Sequence, residues 1–144
     1  MFVVDTNILI YAANADCVEH ARCRALVEGW RRGPLPWFVT WNIIYEFLRV
    51  VTHTRVLPRP LTSTDGWAFV RAVLDSPSAG VLCHQARHAE IAALTLQESP
   101  ALAGNLLHDT HTAILMREHG IRRIYTRDVD FRRFAFLEVV DPLV

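Results

Sequence analysis

Short apolar runs alternate with longer amphipathic stretches along the whole of this chain, and that rhythm restricts the fold to the α/β class. Strands are expected at residues 2–4, 37–39, 81–82, 123–126 and 137–140. Between them, Asp16 is placed to cap a helix over about 17–30 with Ala21, Ala25, Leu26 and Trp30 on one face. Thr40 precedes Ile43, Ile44, Phe47, Leu48 and Val51 at helical spacing, and Thr62 or Ser63 opens a helix through Trp67, Val70, Val73 and Leu74. Two further helices are expected, over 86–96 and over 105–119. They are separated by a break at Ser99, Pro100 and Gly104, and Gly120 closes the second. Right-handed crossovers between such strands give a parallel sheet of four or five strands.

With 144 residues the chain is expected to be a single domain, 1–144, able to bury about two-thirds of its unfolded surface. A hydrophobic share of 51% against 21% charged residues excludes a disordered chain. No uncharged apolar run approaches the roughly 18 residues of a membrane helix. Residues 1–4 are too short for a signal core, lack a basic flank and are interrupted by Asp5, so a cytoplasmic location is expected. Cys17, Cys23 and Cys83 match no CxxC spacing and read as reduced, structural thiols. Net charge is zero, which removes a global electrostatic case for nucleic acid, yet all fifteen basic residues are arginine. Local patches at Arg31 and Arg32, at Arg49, Arg55 and Arg59, at Arg122, Arg123 and Arg127, and at Arg132 and Arg133 are candidate phosphate contacts.

Four acids fall where this architecture would gather them. Asp5 and Asp128 follow expected strands, while Glu46 and Asp109 lie early in expected helices. In a βαβ unit, strand ends and helix starts face the same crevice. Carboxylates crowded there repel one another and resist desolvation, and a hard cation is the natural remedy. Mg²⁺ or Mn²⁺ prefers oxygen ligands and keeps open positions for phosphate, which points to metal-dependent phosphodiester hydrolysis.

The segments Val3-Val4-Asp5-Thr6-Asn7-Ile8-Leu9-Ile10, Leu107-His108-Asp109-Thr110-His111-Thr112-Ala113 and Ile124-Tyr125-Thr126-Arg127-Asp128-Val129-Asp130-Phe131, with Glu46 in an apolar helix between them, resemble the PIN-domain family. Size and compactness are similar to the VapC-type ribonuclease toxins of bacterial toxin–antitoxin pairs, over essentially the entire chain. The resemblance implies a three-layer α/β/α domain. It also implies a metal-dependent endoribonuclease with Asp5, Glu46, Asp109 and Asp128 as the acidic metal-binding and catalytic set. In it Thr6 or Asn7 and Thr126 support the site through hydrogen bonds, and Asp130 is a fifth acid. It further implies an RNA substrate, a homodimer and a cognate antitoxin, with no membrane association. Thr110 departs from the family's usual small residue after the third acid; its hydroxyl lies near the metal or caps locally. A processing nuclease without a toxin role and a silent PIN scaffold binding RNA or protein are the alternatives.

Three competing signals carry less. His108-Asp109 spells the dipeptide of HD-type phosphohydrolases, but that all-helical scaffold has no place for the expected strands. Haloacid-dehalogenase-like phosphatases need a second Asp two residues after the first, and Asn7 stands there. His84 and His88 near Cys83 have metal-ligand spacing, although a surface or partner-contact pair is the simpler reading. The stripe Trp37, Phe38, Trp41, Ile44 and Tyr45 reads mainly as core, with some members free to meet a partner.

Overall fold

The structure is a computed structural model describing residues 1–99 and 101–144. Its sheet has five strands, β1 (Phe2–Val4), β2 (Trp37–Thr40), β3 (Ala79–Leu82), β4 (Arg123–Tyr125) and β5 (Glu138–Val140). They are all parallel, in the order β3-β2-β1-β4-β5. Helices α1 (Thr6–Ala13), α2 (His20–Arg32), α3 (Trp41–Val51) and α4 (Ser63–Leu74) serve the steps from β1 to β3. Helices α5 (His88–Glu98) and α6 (Leu106–Glu118) return the chain to β4. The two sets run in opposite directions along the sheet, so right-handed crossovers put them on opposite faces and make three layers. A 3₁₀ turn, Val129–Arg133, joins β4 to β5.

The central strand is the most apolar and the most enclosed. Val3 pairs with Phe38 on one side and Ile124 on the other, and Val3, Val4 and Ile124 are fully buried, as a strand covered on both faces requires. From α3, Ile43, Ile44, Phe47 and Val51 join the same buried core. Thr40 Oγ1 accepts from Ile43 N at 3.1 Å and Thr62 Oγ1 from Asp65 N at 3.0 Å, fixing where α3 and α4 begin. Gly120, at φ 66°, occupies the left-handed conformation that ends α6.

Several elements differ from the sequence expectation. Helix α1 is unannounced: Thr6–Ala13 is apolar on nearly every side, so no period marks it, and Asp5 caps it through Thr6 N. Helix α2 starts at His20, three residues late, because Asp16 pairs with Arg59 across the surface. Its buried face is Cys23 and Val27, spaced i and i+4, while Ala21 and Ala25 are exposed. Helix α5 begins at His88, two residues late, and the fourth and fifth strands are each a residue shorter than expected. Of the expected break, Pro100 lies outside the described residues.

Candidate active site

The strand order reverses between β1 and β4, and the loops leaving their carboxyl ends diverge there, the usual position of a crevice in an open α/β sheet. Asp5 leaves β1 and Thr126 and Asp128 leave β4. Helix α3 starts at the same edge after β2, which puts Glu46 in its second turn. Helix α6 runs back toward the foot of β4, which puts Asp109 in its first turn at the top.

Asp5 is the fixed point. Its Oδ1 accepts from Thr6 N at 2.7 Å, and its Oδ2 accepts from Asn7 Nδ2 at 2.6 Å and from Thr126 Oγ1 at 2.6 Å. Thr126 Oγ1 also accepts from Asn7 Nδ2 at 2.9 Å and from Asp128 N at 2.8 Å, so one buried hydroxyl ties both strand ends together. Thr6 Oγ1 donates to Glu46 Oε2 at 2.8 Å and anchors α3 to the start of α1. Asp128 Oδ1 accepts from Asp130 N at 2.8 Å and caps the 3₁₀ turn. Thr110 Oγ1 donates to Leu106 O at 2.7 Å, so its hydroxyl serves the helix locally. Asp130 pairs with Arg133 at 3.1 Å at the rim.

Burial, then the charges of Glu46 and Asp128, push Asp5 from 3.8 to about 6 in spite of its three donors. Burial first, then Asp5, Asp128, Glu46 and Asp130, push Asp109 to about 7. The acids therefore share one field. Among the described residues the ion pairs at this edge reach Glu46, from Arg49 at 3.9 Å, and Asp130, from Arg133, and none reaches Asp5, Asp109 or Asp128. Among those residues no group of three or more His, Cys, Asp or Glu side chains is gathered tightly enough to hold a metal ion. The acids lie close enough to raise one another without closing into a coordination shell. Their chemistry fits a hard divalent cation: all-oxygen donors, crowded like charges, and no positive side chain at the centre.

The other sequence candidates fall elsewhere. Most of the arginine patches are spent on carboxylates: Arg31 and Arg32 on Glu28, Arg59 on Asp16, Arg123 on Glu138, and Arg127 on Glu19 and Asp141. His88 Nδ1 donates to Glu118 Oε2 at 2.8 Å, and His84 packs edge-on against His88. Trp37 and Ile44 are core, but Trp41 and Tyr45 are 44% and 64% exposed. A cavity of about 340 Å³ between α1, α2 and α4 holds none of the four acids. Asn42, Tyr45, Arg49 and His108, beside Glu46, went unread in the sequence as a group; the signal was the i, i+3, i+4, i+7 spacing of 42, 45, 46 and 49 along one helix face.

Among known proteins, Ribonuclease VapC33 of Mycobacterium tuberculosis is 34% identical over 143 residues, 99% of each chain. Ribonuclease VapC43 of the same organism is 34% identical over 99% of this chain and 96% of its own. The crystal structure of M. tuberculosis VapC20, a sarcin-ricin loop cleaving toxin, superposes with a TM-score of 0.68 at 21% identity over 96% of this chain and 98% of that one. The structure of VapBC2 from Rickettsia felis bound to a promoter DNA fragment gives 0.64 at 14% identity over 96% of each chain. The PIN domain model matches residues 2–137, with all four acids inside the match. A parallel sheet with this strand order, an acidic crevice at its reversal and a match of that extent lead to one conclusion: the chain belongs to the PIN-domain family.

Proposed function

We propose that this protein is a VapC-type endoribonuclease that hydrolyses RNA phosphodiester bonds with a divalent cation, Mg²⁺ or Mn²⁺, as the toxin of a toxin–antitoxin pair. The observation that carries the proposal is the uncompensated convergence of Asp5, Asp109 and Asp128 at the point where the strand order reverses. Relatives over the full length named as VapC ribonucleases support it. In this reading Asp5, Asp109 and Asp128 hold the ion and Glu46 acts at the edge of the site, on a second ion or on water. When bound, the cation neutralises the acids and the phosphate charge and makes water a stronger nucleophile. Asn7 and Thr126 orient Asp5 by donating to one of its oxygens, and Thr6 holds Glu46 toward the crevice. Asp130 stays with Arg133 as a rim charge.

The deciding experiment is induced expression of the wild type and of Asp109→Asn, with transcriptome-wide mapping of new RNA ends. Ends produced by the wild type alone are expected; identical maps would sink the proposal. Asp109 is a better target than Asp5, whose oxygens accept three donors that an Asn amide would meet donor against donor.

The homodimer and the antitoxin belong to the same proposal. An acidic crevice without its cation attracts an Arg or Lys from a partner, and such a side chain would block both ion and phosphate. Antitoxin complexes among the similar folds support this reading. Co-expression with the product of an adjacent small gene should yield a long-lived, inactive complex. No partner, together with no growth defect from the protein alone, would turn the reading to a processing nuclease.

A further inference from the structure

Beside the acids, a shallow cavity of about 280 Å³ is lined by Asn42, Tyr45, Glu46, Arg49 and His108. Its size approaches the smallest ligand pockets, roughly 300 Å³. One wall is the face of α3 carrying 42, 45, 46 and 49, and the other is the start of α6, reached by Asn42 Nδ2 donating to His108 O at 3.5 Å. Glu46 belongs to this cavity and to the acid set at once, so whatever fills the cavity sits directly beside the scissile position.

We propose that this cavity is the subsite for the nucleotide flanking the cut, with its base stacked on Tyr45 and its phosphate near Arg49. The inference rests on the ribonuclease reading. Tyr45 is 64% exposed, with Trp41 beside it at a ring-centroid distance of 6.3 Å and 39° between planes. Two aromatic rings in water beside a phosphate-handling site match the stacking platforms of single-strand binders, since every base offers a π-face. Arg49 touches Glu46 only at 3.9 Å and its side chain is 69% exposed, so its guanidinium is free to meet a phosphate. Every residue of the lining carries a polar group, and an apolar protein segment seated there would strip water from Glu46 and Arg49 without replacing it. A base with polar edges and a flat face does not impose that cost. Only unpaired nucleotides expose that face, so the site selects single-stranded RNA.

The test is a cycle between ring and base. Asp109→Asn protein, which the ribonuclease reading expects to bind without cutting, is titrated with labelled oligouridylate, oligoadenylate and an abasic ribose-phosphate oligomer of equal length. Adding Tyr45→Ala should weaken binding of the base-bearing oligomers on the order of tenfold, leave the abasic oligomer unchanged, and be rescued by Tyr45→Phe. Equal effects on all three oligomers, or on none, overturn the subsite. So does a change of oligomeric state with Tyr45→Ala on size-exclusion chromatography, which would make Tyr45 a protein interface. A wild type that cuts no RNA would instead sink the ribonuclease reading, and the binding cycle reports independently of that outcome.

Discussion

Two buried carboxylate sites in this protein have opposite electrostatics. Glu118, on α6, has a side chain only 1% exposed and accepts from His88 Nδ1 at 2.8 Å and Gln85 N at 3.1 Å. Burial pushes it up, but those hydrogen bonds and the nearby imidazoles hold it below the ordinary glutamate range. Asp5 accepts three hydrogen bonds of 2.6–2.7 Å and is nevertheless raised to about 6. Donor number is thus not what separates them. Burial raises both and dominates at Asp5; the neighbouring charges then act in opposite directions, with imidazoles lowering Glu118 and Glu46 and Asp128 raising Asp5 further. The corner at Glu118 finds its partners within the chain, whereas among the described residues no ion pair reaches Asp5, Asp109 or Asp128.

The sharpest way to break this contrast is to neutralise one acid in each place. Asp109→Asn should cut RNA cleavage by a hundredfold or more, the order of several kcal/mol of lost charge stabilisation. Glu118→Gln should leave the cleavage rate within about twofold, since it lies outside the crevice. Steady-state cleavage of one RNA by both variants settles the matter, and equal losses would erase the distinction.

Next comes pH. A carboxyl raised in the folded state binds more protons there than in the unfolded chain between its two pKa values, so stability falls as pH rises through that window. For Asp5 the window runs from 3.8 to about 6, a loss of about 3 kcal/mol if the whole shift is realised. Asp109 carries the decline on to about 7. Metal-free protein should therefore melt lower at about pH 7.5 than at about pH 5, and Asp109→Asn should flatten the upper part of the curve. A melting temperature that climbs across that range would contradict the raised acids.

A smaller effect is expected from the ion itself. Mg²⁺ at about a hundred times its Kd should add about 2.7 kcal/mol by binding the folded state alone. Thermal melts should show the gain in Glu118→Gln and lose it in Asp109→Asn. The smallest effect is Glu118→Gln on stability, about 1–2 kcal/mol at neutral pH from one weakened buried hydrogen bond. Because Glu118 is lowered, its contribution is present above the unfolded value of 4.5 and is lost as pH falls through the lower folded value. Urea unfolding at pH 7 and at acid pH should show the wild-type and Gln curves converging in acid.

What could be seen in the sequence followed from local chemistry. Thr40 and Thr62 announced α3 and α4 because a cap is a contact within three residues, and Gly120 announced the end of α6 because its φ of 66° suits glycine. Asp5 and Asp109 stood out because strand ends and helix starts share an edge in any parallel sheet. What stayed hidden depends on distant partners or on the absence of a pattern. Helix α1 had no polar face to set a period. Asp16 looked like a cap until Arg59, forty-three residues away, took its carboxylate. The link between His88 and Glu118 spans thirty residues, and nothing local distinguishes exposed Trp41 and Tyr45 from buried Trp37 and Ile44.

The hydroxyl of Thr126 bonded to Asp5, 121 residues earlier, has a consequence for timing on the ribosome. Strand β1 is made early but sits between β2 and β4, and β4 is not made until more than eighty residues after β2. At translation rates of about 5–20 residues per second, the acids at 5 and 46 wait seconds for those at 109 and 128. A nascent chain halted before residue 123 therefore lacks Asp128 and has no Thr126 to orient Asp5. Until β4 has emerged and docked beside β1, the growing chain carries an incomplete set of acids.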